Sequence, residues 1–393
     1  MQQNKKHRLI VTEMAILLLF LSLYAIFKQP DTYSDSERRV LTQSPKLSFD
    51  SVQSARFMGQ FEDYATDQFP FRDDFRHVKA TAQMHLFQKL DNNDIYTANG
   101  HLSKLEYPMN TAMLDHAAKR FSYLYKTYLK DSDTNLFFSI VPDKNKFLAA
   151  EHGYLSMDYD ALASYMQKKT PYMQYIDIYE LLEANDYYQT DTHWRQECIV
   201  DVAETLINGM QQQNNSGHMN LSEHSETLQN ADSVKQMTAQ ENYTVQTLSQ
   251  PFYGVYSGQS ALHPKPDTLH YLTSDILDQC IVTSYDTGKP VPAAIYDMEA
   301  AAGKDPYEMF TSGSDALITI ENPNAENKRE LLLFRDSFGS SIAPLLAHAY
   351  SKITLIDIRY IQSRMLGNFI DFTDQDVLFL YSTMMLNNSM GMK

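Results

Sequence analysis

The 393 residues contain only two cysteines and one tryptophan, and basic residues fall short of acidic ones, 33 against 49. Cys198 and Cys280 show no C-x-x-C spacing and have no neighbouring histidine cluster. That excludes a disulfide scaffold and supplies no zinc-ligand pattern, while leaving room for one bridge that the fold does not require. The formal charge of −16 argues against a nucleic-acid backbone or an anionic lipid surface as the main partner. A neutral or charge-poor ligand is easier to accept. No internal repeat is evident. With 43% hydrophobic residues the chain is not disordered, and it is long enough to bury at least one large core with smaller attached segments.

The N-terminus carries an address. Lys5, Lys6 and Arg8 precede LIVTEMAILLLFLSLYAIF, residues 9–27, which is apolar apart from Thr12, Glu13, Ser22 and Tyr24. That length is close to the roughly 20 residues needed to cross a bilayer. The basic flank predicts a cytoplasmic start, with everything after Lys28 outside. A cleaved signal peptide is the competing reading, but no clear small-x-small site precedes KQPDTYSDSE. The sequence is therefore read as a single-pass anchor in the cell membrane over residues 1–30, carrying an extracytoplasmic domain.

Residues 31–100 read as a membrane-proximal tether followed by helices. GQFEDYATDQFPFRDDFRHVKATAQMHLFQKL has apolar positions at helical spacing and a break at Pro70. NDIYTANGHLSKL places an Asn-Gly turn between two short strand-like runs. Residues 101–393 alternate in the α/β manner. TNLFFSIV, DALITIEN, RELLLFRD, SKITLIDIRY and DQDVLFLYS are compact apolar runs of strand length, and SFGSSIAPLLAHAY reads as a helix. Buried runs separated by helices predict a mostly parallel sheet covered on both faces. Ligands in such sheets bind beyond the carboxyl ends of the strands, which draws attention to Asp143, Lys144, Asp336, Ser337, Asp357, Arg359 and Tyr381. Residues 211–242 are polar without apolar periodicity and read as a surface excursion.

Two short stretches carry candidate chemistry. In YYQTDTHWRQE, an extended backbone would turn Asp191 and His193 to one side and Thr192 and Trp194 to the other, so that a carboxylate orients an imidazole. Tyr187 and Tyr188 read as core. In LLLFRDSFGSSIAPLL, Ser337 falls at a strand-to-helix junction, where its hydroxyl can project and the following N–H groups can form part of an anion-binding nest. A serine needs a base, and His193 is the best candidate because Asp191 stands beside it. The competing reading is that Asp336 or Ser337 merely caps the helix. Metal ligation by Asp191 and His193 lacks a third ligand at fitting spacing.

DTHW together with the later strand-ending DSF resembles the DHHW family and, more distantly, the SGNH-hydrolase-like domain of the alginate O-acetylation proteins AlgJ and AlgX. SERRVL, DQFPFRD, VPDKNKF, PFYGVYSG and IDIRY are in the order familiar from such proteins, so the resemblance covers roughly residues 35–390. It implies an SGNH-like α/β domain with Ser337 as nucleophile, His193 as base and Asp191 as its orienting partner, and no cofactor. Arg359 and Tyr381 look like the arginine and tyrosine placed near the oxyanion. The sequence departs from ordinary SGNH hydrolases at Arg335, where many have glycine, in the Asp-x-His spacing, and in lacking separate glycine and asparagine oxyanion blocks.

Three functions follow from the resemblance. The first is a membrane-anchored O-acetyltransferase of a cell-envelope or secreted polysaccharide, receiving acetyl groups from a membrane-bound O-acyltransferase partner. The second is a carbohydrate acetyl-esterase with the same three residues. The third is a noncatalytic glycan-binding assembly component, for which some of the twenty-six tyrosines would stack on sugars.

Overall fold

The computed structural model describes residues 2–215, 243–325 and 327–393, so most of the polar stretch at 211–242 lies outside the described residues. The chain divides into two compact units, Met1–Tyr96 with Val255–Pro264, and Thr97–Gly254 with Lys265–Lys393.

In the N-terminal unit a single helix, α1 (Gln2–Phe27), contains the apolar stretch. Helix α2 (Arg56–Asp67) stops before Pro70, and α3 (Arg72–Thr81) starts just after it and continues as a π-helical turn over Ala82–Leu86. Proline disfavours a helical conformation at the residue before it, so the two helices cannot run through one another. Asp67, buried at the end of α2, accepts hydrogen bonds from both Arg39 Nη atoms at 2.9 and 2.5 Å and from Thr42 N at 2.9 Å. The Arg39 hydrogen bonds hold the Asp67 carboxyl well below the usual carboxylate range. Arg72 and Arg76 both reach Glu37, the latter at 3.3 Å.

The second unit is built on an eight-stranded sheet. In chain order its strands are β1 (Asn135–Val141), β2 (Gln174–Tyr175), β3 (Ile281–Ser284), β4 (Val291–Ala293), β5 (Leu317–Glu321), β6 (Glu330–Arg335), β7 (Lys352–Ile356) and β8 (Asp376–Ser382). The spatial order is β4-β3-β5-β7-β6-β8-β1-β2. From β7 to β2 every pairing is parallel; β5, β3 and β4 add an antiparallel edge. The sheet is therefore mostly parallel, as the apolar runs predict. The antiparallel edge was not expected, because β3 and β4 are short and half-exposed and carry no continuous apolar run.

Alternation along β6 shows how the sheet is sandwiched. Leu331 and Leu333 join a core with Val202 and Leu206 of α6 (Val200–Asn215) and Ile342 and Leu346 of α7 (Phe338–Leu346). Leu332 and Phe334 join a second core with Leu114 and Phe121 of α4 (Thr111–Leu124) and Leu162 and Met166 of α5 (Tyr159–Lys169). Each such fully buried side chain contributes about 1.5–3 kcal/mol by leaving water. One consequence is positional: the carboxyl ends of β1, β6, β7 and β8 come to one edge, carrying Asp143 and Lys144, Asp336 and Ser337, Asp357 and Arg359, and Ser382.

Candidate active site

Ser337 sits where β6 turns into α7, with φ −63° and ψ −22°, and its side chain makes no helix-capping hydrogen bond. The capping role falls to Asp336. Its Oδ1 accepts from Phe338 N at 3.0 Å and its Oδ2 from Ser382 N at 2.8 Å, so one buried carboxylate ties the turn to the end of β8. The N–H groups of Gly339 and Ser340 also close on the turn, to Asp336 O and Ser337 O. The nest expected from the residues after the serine is thus engaged internally. Gly339 is required by the close approach of α7 to its strand, since a Cβ there would meet Arg335 Cβ at 2.5 Å.

With capping assigned elsewhere, the Ser337 hydroxyl faces the imidazole. His193 Nε2 lies 2.7 Å from Ser337 Oγ, and His193 Nδ1 lies 2.6 Å from Asp191 Oδ1. Asp191 is fully buried and His193 is nearly so. Residues 190–193 form bends instead of an extended run. The Asp191 carboxylate accepts from His193 N at 3.1 Å as well as from the ring, which folds the pair together more tightly than alternation would.

The loop is fastened from several directions. Trp194 Nε1 donates to Ser341 Oγ at 2.9 Å and Phe338 O at 3.2 Å, joining the histidine loop to the helix that begins at the serine. That accounts for the sole tryptophan beside Asp-Thr-His: its buried indole spans the two segments. Asp267 accepts from Gln189 N, Thr190 N and Thr190 Oγ1 at 2.7, 2.8 and 2.6 Å. Gly254 packs so closely that a Cβ would stand 2.4 Å from Asp191 Cα. The Tyr307 ring stacks on His193 with centroids 3.9 Å apart and an interplanar angle of 11°, and its hydroxyl donates to Ser341 at 2.8 Å. Tyr187 and Tyr188 are core, and Tyr187 donates to Pro142 O at 2.5 Å.

This architecture has counterparts among solved structures. The chain is similar in fold to a DHHW family protein. That protein, from Eubacterium siraeum DSM 15702, is 20% identical and superposes with a TM-score of 0.55 over 77% of this chain and 95% of its own. PatB1 of Bacillus cereus, in a structure with a sulfonyl adduct, is also 20% identical, with a TM-score of 0.54 over 74% of this chain and 95% of that one. The O-acetyltransferase domain of Pseudomonas putida AlgJ is more distant, at 13% identity and a TM-score of 0.42 over 75% of this chain and 92% of that one. What the first two share with this chain at 20% identity is the fold. No family model matches the sequence, and no curated protein does.

Arg359 and Tyr381 lie at strand ends, as expected, but neither hydrogen-bonds to Ser337 or His193 among the described residues. Arg359 donates to Asp357 from Nε at 2.9 Å and from Nη2 at 2.5 Å. Burial alone would lower its pKa, yet these bonds and the charge of Asp357 hold it above the usual arginine range. Arg335, fully buried, faces the same carboxylate at 3.5 Å. Tyr381 packs against Phe121 at 5.3 Å, in the core layer opposite Trp194 and Phe338. Its hydroxyl has no partner among the described residues, and burial raises it well above the usual tyrosine range.

Besides Ser337, Lys144 is a strand-end residue tied to the loop that carries the pair. Fully buried after β1, it donates to Tyr188 O at 2.7 Å and Gln189 O at 3.3 Å, just ahead of Asp191. Burial pushes its ammonium down to about 7, against the pull of Asp191, Asp267 and Asp143. Tyr307, Asp267 and Ser341 had no signal in the sequence; Gly254 lies inside PFYGVYSG, where its position beside Asp191 could not be read. Among the described residues no group of three or more His, Cys, Asp or Glu is arranged to hold a metal ion, and neither Cys198 nor Cys280 is in a disulfide.

Proposed function

We propose that this protein is a membrane-anchored, extracytoplasmic O-acetyltransferase of a polysaccharide, with Ser337 as nucleophile, His193 as base and Asp191 as its orienting partner. The observation that carries the chemistry is the 2.7 Å contact between His193 Nε2 and a Ser337 hydroxyl that no helix cap engages. The acetyl group and the glycan acceptor come from the resemblance of DTHW and DSF to the DHHW and alginate O-acetylation proteins. Membrane attachment is supported by the segment Lys5–Phe27, which contains an 18-residue window of mean hydropathy 2.4 with none of it buried.

In the first half-reaction Ser337 Oγ attacks the acetyl carbonyl carbon while His193 Nε2 takes the hydroxyl proton. Asp191 stabilises the imidazolium through Nδ1–H. Collapse of the tetrahedral intermediate expels the donor's leaving group, which takes the proton back from His193. A sugar hydroxyl then loses its proton to His193 and attacks the acetyl-serine; the acetyl C–Oγ bond breaks, His193 returns the proton to Ser337 Oγ, and the sugar leaves as the acetyl ester. For the charge on the carbonyl oxygen we look to the N–H of Ser337 and to Arg359 at a neighbouring strand end, and not to Tyr381, whose ring lies in the opposite core layer. One well-placed donor of this kind is worth about 100- to 1,000-fold in turnover. A membrane-bound O-acyltransferase is the donor partner this reading calls for.

The test is to incubate the detergent-solubilised full chain with an activated acetyl ester and candidate oligosaccharides. Added acetyl mass on the sugar, lost in Ser337→Ala, is the expected result. Acetate release with no sugar product identifies an esterase instead. Full cellular acetylation by Ser337→Ala overturns both in favour of a binding component.

A further inference from the structure

The N-terminal unit is amphipathic in the wrong sense for water. Asp67 at the end of α2 is 8% exposed and is enclosed by Arg39 and Arg72, whereas Phe75, Val78, Leu86 and Phe87 on and after α3 are 48%, 63%, 73% and 67% exposed. Residues 71, 75, 78 and 86 recur at helical spacing on one side of α3 and its π-helical extension. A helix serving only a water-soluble core places these side chains inward and its ion pairs outward. Here the ions close the interior and the rings face out.

The position of this face points to what covers it. Tyr24, one turn from the end of α1, stacks on Phe71 with centroids 5.3 Å apart and an interplanar angle of 27°. Phe69 then meets Phe75 edge-on at 5.4 Å. If α1 crosses the bilayer, Tyr24 occupies the depth at which tyrosine is enriched, the boundary between hydrocarbon and headgroups. Phe71 is held at that same depth by direct contact, and the apolar side of α3 continues from it.

We propose that the outward face of α3, from Phe71 to Phe87, lies in the headgroup boundary of the membrane that α1 spans, so that the unit is both anchored and laid on the lipid. This rests on the anchor reading above. Helices that lie in this way sink their apolar side about 5–10 Å into the boundary. The attraction is apolar burial, not charge, which is consistent with a chain of net charge −16 and makes docking insensitive to salt.

The experiment uses the full chain reconstituted in phosphatidylcholine vesicles, with single tryptophans introduced as Phe20→Trp in α1, Phe75→Trp, Phe87→Trp, and Glu151→Trp as an exposed control. Trp194 is fully buried, and its emission is subtracted using the unsubstituted protein. Lipids brominated near the headgroup end should quench most of the added emission from Phe75→Trp and Phe87→Trp, at low and high salt alike, and none from Glu151→Trp. Phe20→Trp should be quenched best by bromines deeper in the chains. Quenching at Phe20→Trp without quenching at 75 and 87 overturns the lipid face and leaves the anchor standing. No quenching at Phe20→Trp removes the anchor, and the lipid face with it. Shielding at 75 and 87 that grows with protein density instead of lipid bromination overturns the proposal in favour of a second copy of the chain.

Discussion

In the sheet unit, leucines and phenylalanines of β6 alternate between two closed cores, and each of the buried charges at its edge, Arg335, Asp357 and Asp336, has a polar partner. In the N-terminal unit the ion pairs of Glu37, Asp67, Arg72 and Arg76 occupy the interior while phenylalanines are left outside. The same residue types are thus sorted in opposite directions within one chain. Sorting follows the solvent each face meets, so hydropathy alone does not say which side of a helix is inside.

The comparison can be broken first at the reacting atoms. Ser337→Ala should lower acetyl-transfer turnover by on the order of a million-fold, with an unchanged circular dichroism spectrum, whereas Phe75→Ser should leave turnover in detergent untouched. A comparable loss from Phe75→Ser would mean that the outward face serves the chemistry and not the membrane. Next comes the sheet's buried charge. Arg335→Met leaves Asp357 with Arg359 alone in a closed interior and should cost about 3–5 kcal/mol in urea unfolding. Arg72→Met, at the edge of the N-terminal ion cluster, should cost less by the same measurement.

Smaller effects sharpen the picture of the site. Trp194→Phe removes the indole donor to Ser341 and Phe338 and should cost about 1–3 kcal/mol of stability, together with a fall in turnover at unchanged KM. The smallest effect is a pH slope. The native chain holds Lys144 near 7, while the unfolded chain keeps that proton up to the ordinary lysine range near 10.4. The unfolded state therefore binds more protons between about pH 7 and pH 10, and stability should rise with pH across that window. Lys144→Met should flatten that rise, as read by urea midpoints at several pH values; an unchanged slope would mean that Lys144 keeps its charge when buried.

Much of this was legible in the chain. The apolar runs of β1, β5, β6, β7 and β8 announce themselves because both faces of those strands are covered, and Asp-Ser after LLLFR marks the turn. The break at Pro70 separates α2 from α3 where a missing N–H requires it. Strands β3 and β4 did not show, since a half-exposed edge has no need of continuous apolar sequence. Asp191 and His193 could be paired from their spacing, though the backbone bends where an extended run was expected. Their meeting with Ser337 could be inferred from a serine's need of a base and from the resemblance, but its geometry could not, because no local pattern records a contact between segments 144 residues apart. Tyr307 and Asp267 were invisible for a related reason: a ring stacked on an imidazole and a carboxylate under two amides are defined by what surrounds them.

The indole of Trp194 has one further consequence. Because it is bolted to the first turns of α7, the gap between base and hydroxyl is gauged locally, like the throat of a clamp whose handles are free. The sequence joining the two jaws can therefore lengthen, shorten or change composition over evolutionary time without resetting that gauge, whereas one altered atom in the clamp would be felt immediately.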